Sequence, residues 1–180
     1  MKDYSKFFTE AKLLMGWKLM WIALKGLDEV PTILSYDECI DWIYERLENP
    51  GPETETMIQL IIEKDDPEQF MTILSAMAEN ELSDWSVQKR KWRVWLLHNM
   101  IENLPQDPTD GIATILEFWL SLGDPVDRPI QVSLQDRNWF QHFIFSKENY
   151  EKVKKDHIEW ISKELSILRR LDEWTRREKQ

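Results

Sequence analysis

Three histidines, one cysteine and a knot of bases are the residues here whose types invite chemistry. A general base beside an activated thiol or hydroxyl is the minimum for nucleophilic catalysis. His98, His142 and His157 fall in no recognised catalytic motif. Cys39 lies on the apolar side of its segment, where a buried small hydrophobe is expected. Metal chemistry has no better footing, because there is no cysteine pair for zinc and no Glu-x-x-His for a two-metal helical site. The acidic run at 63–66 lacks the glycine and spacing of a calcium loop, and no Gly-rich phosphate loop occurs. No catalytic residue, metal or cofactor is expected, and the chain reads as a protein that is not an enzyme.

The knot is KRKWRVWLLHNMIENL, residues 89–104, with four bases in five positions and Trp92 and Trp95 among them. Basic residues interleaved with aromatics suggest a surface for phosphates and bases. At about 100° per residue, however, Trp92, Leu96, Met100, Leu104, Leu97, Ile101 and Val94 form one broad apolar arc. Lys89 and Arg93 fall inside that arc, whereas a phosphate-binding face would separate its charges from the core. The segment therefore reads as a core helix. Arg93 would be costly to bury alone, so a carboxylate partner is expected from 26–66 or from Glu79, Glu81 or Asp84.

The elements that must position these residues are helices. Ser35 and Glu38 have capping-box spacing. Asp66-Pro67 and Asp107-Pro108 place a capping acid before a proline at the first helical position, and Ser83-Asp84 and Ser146 are further starts. Helices are predicted at 3–15, 17–25, 35–48, 55–64, 67–80, 84–104, 108–122 and 147–177. The fold class is all-α, one helical domain over 1–180, with an irregular connector at 123–146 and a long amphipathic C-terminal helix over 147–177. Tyr150, Val153, Ile158, Ile161, Leu165, Leu168 and Leu171 form that helix's expected inner face. Alternation at Ile130, Val132 and Leu134 permits a short strand within the connector.

Composition narrows the partners. The 180 residues carry a net charge of −10, which weighs against nucleic acid and toward a basic partner. Ten tryptophans suit a core built on large rings. A single cysteine excludes an internal disulfide and fits a reducing compartment. Neither a signal peptide nor a membrane span is apparent, so a soluble, cytoplasmic protein is expected. The acidity is concentrated: between Gly26 and Asp66, twelve acids face only Arg46 and Lys64.

The segment 35–48 organises that charge. With Asp37 at zero, Glu48, Asp41, Glu45 and Glu38 fall at about 20°, 40°, 80° and 100°. Cys39, Ile40, Trp42, Ile43 and Leu47 lie opposite, with Tyr44 at the boundary. Like charges at i,i+4 oppose the helix by a few tenths of a kcal/mol each. One account is a solvated face. The other is a docking surface for a basic partner, comprising Asp28, Glu29, Asp37, Glu38, Asp41, Glu45 and Glu48, that steers a cationic protein by long-range attraction.

GWKLMWIALKGL at 16–27, ILSYDECIDWIYERL at 33–47, KRKWRVWLL at 89–97 and the GDP turn at 123–125 together resemble a bacterial all-helical family, the domain-of-unknown-function 2247 group. Families of this kind resemble immunity proteins encoded beside secreted toxins, including those of contact-dependent growth inhibition. The resemblance implies a cytoplasmic protein that binds one cognate toxin domain, frequently a basic nuclease, and blocks it. A helical adaptor or structural interaction module, dimerising through 147–177, is the alternative, although homo-oligomerisation is not indicated. An enzyme of unrecognised type ranks third and a nucleic-acid binder last.

Overall fold

Five helix starts, those after Ser35, Asp66, Asp84, Asp107 and Ser146, are set by caps that act within three residues. In the computed structural model, which describes residues 3–28, 30–129 and 145–178, Ser35 and Glu38 close a full capping box. Asp66 and Asp107 each accept two backbone N–H groups, and Asp84 accepts one from Ser86. The described residues form eight α-helices: α1 (Asp3–Glu10), α2 (Trp17–Lys25), α3 (Tyr36–Leu47), α4 (Thr54–Ile62), α5 (Pro67–Glu79), α6 (Trp85–Glu102), α7 (Pro108–Ser121) and α8 (Lys147–Glu178). A 3-10 turn, Glu63–Asp65, joins α4 to α5. No strand occurs among the described residues, so the fold is all-α. The strand considered at Ile130–Leu134, together with His142, lies outside them.

The helix predicted over 3–15 ends at Glu10, and Lys12 adopts a left-handed φ of 57°. A local cap closes the helix there, the Lys12 N–H donating to the Thr9 carbonyl at 3.0 Å and the Leu13 N–H to the Phe8 carbonyl at 2.9 Å. The Leu14 N–H donates to the Asp172 carboxylate at 2.8 Å, and the Leu14 carbonyl accepts from Lys91 Nζ at 2.8 Å. Both polar groups of Leu14 are thus taken by distant side chains, which hold the chain beyond the cap in place.

α6 lies at the centre, between α2 and α8. Trp92 is fully buried, donates its indole N–H to the Leu19 carbonyl at 2.7 Å, and meets Phe8 and Trp95 edge-on. Trp17, Trp42 and Trp119 are buried as well, whereas Trp174 is 61% exposed. The inner face of α8 departs from its apolar pattern. Tyr150, Val153, Ile161 and Leu168 are buried, but Ile158 is 47% exposed, and the polar residues His157, Glu164 and Asp172 are buried. No described helix is long and apolar enough to cross a membrane.

α7 approaches α8 closely at Gly111, where an added Cβ would come far inside van der Waals distance of the Tyr150 ring edge and hydroxyl. The Tyr150 hydroxyl donates to the Pro105 carbonyl at 2.5 Å, so the ring is not free to withdraw. Alanine gains about 1 kcal/mol in helix propensity, but overpacking costs about 1–3 kcal/mol. Gly111→Ala is expected to be net destabilising, as a lower urea midpoint with an unchanged slope.

His157 is the polar counterpart. Its Nε2 accepts from Trp119 Nε1 at 2.8 Å, and Nδ1 lies 2.7 Å from the Val153 carbonyl. A neutral ring carrying its hydrogen on Nδ1 satisfies both contacts. Burial holds its pKa below the ordinary 6.5. The folded state therefore binds this proton less readily than the unfolded chain. The contribution of His157 is complete above the unfolded value and is lost as pH falls through the folded one. Denaturant midpoints at neutral pH and at about pH 5 should show a smaller acid loss in His157→Gln than in the parent. Equal losses in the two proteins would refute the assignment.

Candidate protein-docking face

α3 owes its outward charge to the way its inner side is packed. Cys39, Ile40, Trp42 and Ile43 are buried, and burial alone pushes the Cys39 thiol up to about 12, which makes it inert at neutral pH. Asp37, Asp41, Glu45 and Glu48 are exposed on the opposite side. Glu38 is half-buried and turned back to the cap, accepting from the Ser35 N–H at 2.8 Å.

Arg46, the one base in α3, does not relieve this arc. Its guanidinium lies over the Trp17 and Trp42 rings, at 5.1 and 5.3 Å from their centroids. It donates to the Met15 carbonyl at 3.3 Å and pairs with Glu53 at 3.0 Å, and Glu53 also accepts from Trp17 Nε1 at 2.8 Å. The cation that sequence proximity assigns to the acidic face is thus drawn toward the α2 side. The face acts electrostatically on its surroundings. Tyr4, whose hydroxyl donates to the Glu38 carbonyl at 3.3 Å, has its phenol held above the ordinary tyrosine range by burial, with Glu38, Glu45 and Asp41 adding to the shift.

Two apolar features accompany the carboxylates. Tyr44 is 50% exposed, and at about 340° on the same wheel it flanks the acidic arc, next to Asp37 at zero and one helical turn from Asp41 and Glu48. On α4, which packs against α3, Ile58 and Ile62 are 47% and 69% exposed. The sequence carried a signal for both: Tyr44 stands among acids, and α4 is apolar on more faces than Met57 and Leu60 require.

The remaining predicted contacts part company with α3. Asp28 has a φ of 52° and pairs with Lys89 of α6 at 2.5 Å. Glu29 lies outside the described residues. The face brought together by the fold is therefore Asp37, Asp41, Tyr44, Glu45 and Glu48, with Glu38 at its capped end.

The basic knot is consumed internally. Lys89 holds Asp28, Arg90 makes a two-pronged bridge to Glu164 at 2.6 and 2.8 Å, and Lys91 pairs with Asp172 at 2.7 Å. Arg93 does pair with a carboxylate, but it is Asp127, at 2.6 and 3.2 Å, with Glu164 at 3.9 Å. The expected partners in 26–66 and at Glu79, Glu81 or Asp84 are not used, because the turn after α7 reaches Arg93 instead. Lys91 is the larger surprise. It falls outside the apolar arc of the wheel yet is fully buried, since α6 is covered on more than one side. Among the described residues no group of three or more potential metal ligands forms.

Among protein-family models, one described as an uncharacterized protein conserved in bacteria (DUF2247) matches residues 5–165. No curated protein and no solved structure matches the chain.

Proposed function

The chain belongs to the DUF2247 family of bacterial proteins, and on that premise we propose that it is a cytoplasmic immunity protein that neutralises a cognate secreted toxin by stoichiometric binding. The toxin domain is basic and of the nuclease type, and the α3 carboxylates occupy the positions its phosphate contacts would take. The reading is carried by one observation. Asp37, Asp41, Glu45 and Glu48 stand outward with the half-exposed Tyr44 ring at the edge of their arc, while Arg46 is drawn toward Trp17 and Trp42. Aligned carboxylates accelerate encounter with a cationic partner, and a tyrosine beside them supplies the anchor that charge alone lacks. No catalysis is needed for this role. The test is to mix the purified protein with the toxin domain encoded beside it, at low and at high salt. A complex that weakens with salt is expected. Absence of any complex at low salt defeats the reading.

An adaptor that self-associates is the second reading. It is favoured by Trp174 and Leu82, 61% and 62% exposed beside a pocket of about 400 Å³ at the C-terminal end of α8. Light scattering over a range of protein concentrations distinguishes the two, since only the adaptor grows in mass without the toxin.

A further inference from the structure

Two stretches singled out in the sequence, the basic knot and the turn that follows Gly123, meet around a pocket of about 500 Å³. Lys89, Arg90 and Arg93 enter it from one side of α6. At about 100° per residue they span only a quarter-turn or so of the helix. Val30, Leu122 and Pro125 supply an apolar wall.

The three cations are not equally committed. Arg90 is bound by two hydrogen bonds to Glu164, whose side chain is 6% exposed, so that pair is fixed and neutral. Lys89 and Arg93 are balanced by Asp28 and Asp127, whose side chains are 54% and 49% exposed. Ion pairs with one partner that wet are worth about 0–1 kcal/mol. The Asp28 carboxylate can rotate into water at little expense, whereas Asp127 grips Arg93 through two hydrogen bonds and is displaced only by a ligand that offers the same two-pronged contact. With both turned out, two positive charges remain in the pocket. Arg93 cannot leave. Its side chain is 15% exposed and lies over the Trp160 ring at 5.2 Å, and the Trp160 indole N–H ties down the Asp127 backbone at 2.7 Å.

We propose that this pocket binds a phosphate monoester on a small, partly apolar organic body. A phosphomonoester carries close to two negative charges at neutral pH, matching the two cations that Asp28 and Asp127 would release. Its oxygens suit an arginine fork with a lysine point charge beside it. The volume exceeds that of a bare phosphate, and the apolar wall takes the remainder. The site is separate from the acidic α3 face, and either assignment stands without the other.

Calorimetric titration of the full chain with adenosine monophosphate, inorganic phosphate and adenosine tests the proposal. The monophosphate should bind saturably and more tightly than phosphate, and adenosine should not saturate. Asp127→Asn removes the competing carboxylate and should tighten monophosphate binding about tenfold. Lys89→Met, at a partly exposed position that leaves the core intact, should weaken it about tenfold. Arg93→Met should abolish it. If the monophosphate fails to saturate both the parent and Asp127→Asn, the proposal is overturned. It is likewise overturned if Asp127→Asn binds no more tightly than the parent, if phosphate or adenosine matches the monophosphate, or if Lys89→Met binds as the parent does.

Discussion

Asp172→Ala should lower stability by about 3–5 kcal/mol at neutral pH, the loss expected when one member of a buried ion pair is removed. Lys91 and Asp172 are the deepest charges described, with side chains 1% and 4% exposed and a contact of 2.7 Å. Together they hold the backbone of Leu14, Lys91 through the carbonyl and Asp172 through the N–H. Without Asp172 the ammonium keeps only a carbonyl, and the Leu14 N–H keeps nothing. Burial already holds the Lys91 pKa below the usual lysine range, and loss of the carboxylate lowers it further. The unfolded chain then binds this proton more readily than the folded one, so stability rises with pH. Asp172→Ala should therefore regain part of its deficit as pH rises toward the ordinary lysine value. The pair Lys91→Met with Asp172→Leu should be less damaging than Asp172→Ala alone, because no charge stays buried. What it fails to recover reflects the two unsatisfied groups of Leu14. Urea unfolding of the three proteins measures all of this. A midpoint for Asp172→Ala near that of the parent would remove the pair from any structural role.

Reversing charge at Asp41 and Glu45 to lysine should weaken toxin binding on the order of 100-fold at low salt, mainly through slower association. The deficit should shrink as salt rises, because the Debye length falls below the span of the face. Stability should move the other way. Lysines at 41 and 45 still repel each other, but each then attracts an acid, Asp37 four residues before and Glu48 three residues after, so α3 should be stabilised by a few tenths of a kcal/mol. A binding loss without a folding loss is therefore the signature of a docking face. Tyr44→Ala should cost about 2 kcal/mol of affinity, chiefly through faster dissociation. Unchanged affinity in both variants, measured with the purified toxin domain, would return α3 to a solvated surface.

Helix starts were legible because capping is local. The Ser35 box, Asp66, Asp84 and Asp107 all act within three residues, and each opens a helix where its residue type and spacing indicate. The end of α1 was not legible, because the left-handed cap residue is Lys12 rather than a glycine, and Leu14 beyond it is held by side chains 77 and 158 residues away. The α8 face was half legible. Its 3.6 period places His157, Glu164 and Asp172, at about 340°, 320° and 40° from Tyr150, in the same arc as Val153, Ile161 and Leu168, but their polarity marks them as outward although they are buried. Their burial depends on partners that α6 and α7 present. The wheel puts Tyr44 at the boundary of the acidic arc, and only its exposure in the fold adds it to that face.

By itself the sequence determined the all-α class, the helix starts and the alignment of acids along α3, since these follow from hydrogen bonds of a few residues' reach and a period of 3.6. Tertiary structure alone decided which charges are spent and which remain outward. Arg46 lies next to Glu45 in the chain but is drawn to Trp17, Trp42 and Glu53. The knot at 89–93 finds carboxylates at sequence separations such as 34, 61 and 74 residues. Ion pairing depends on distance and burial in the folded chain, and no local pattern carries that information.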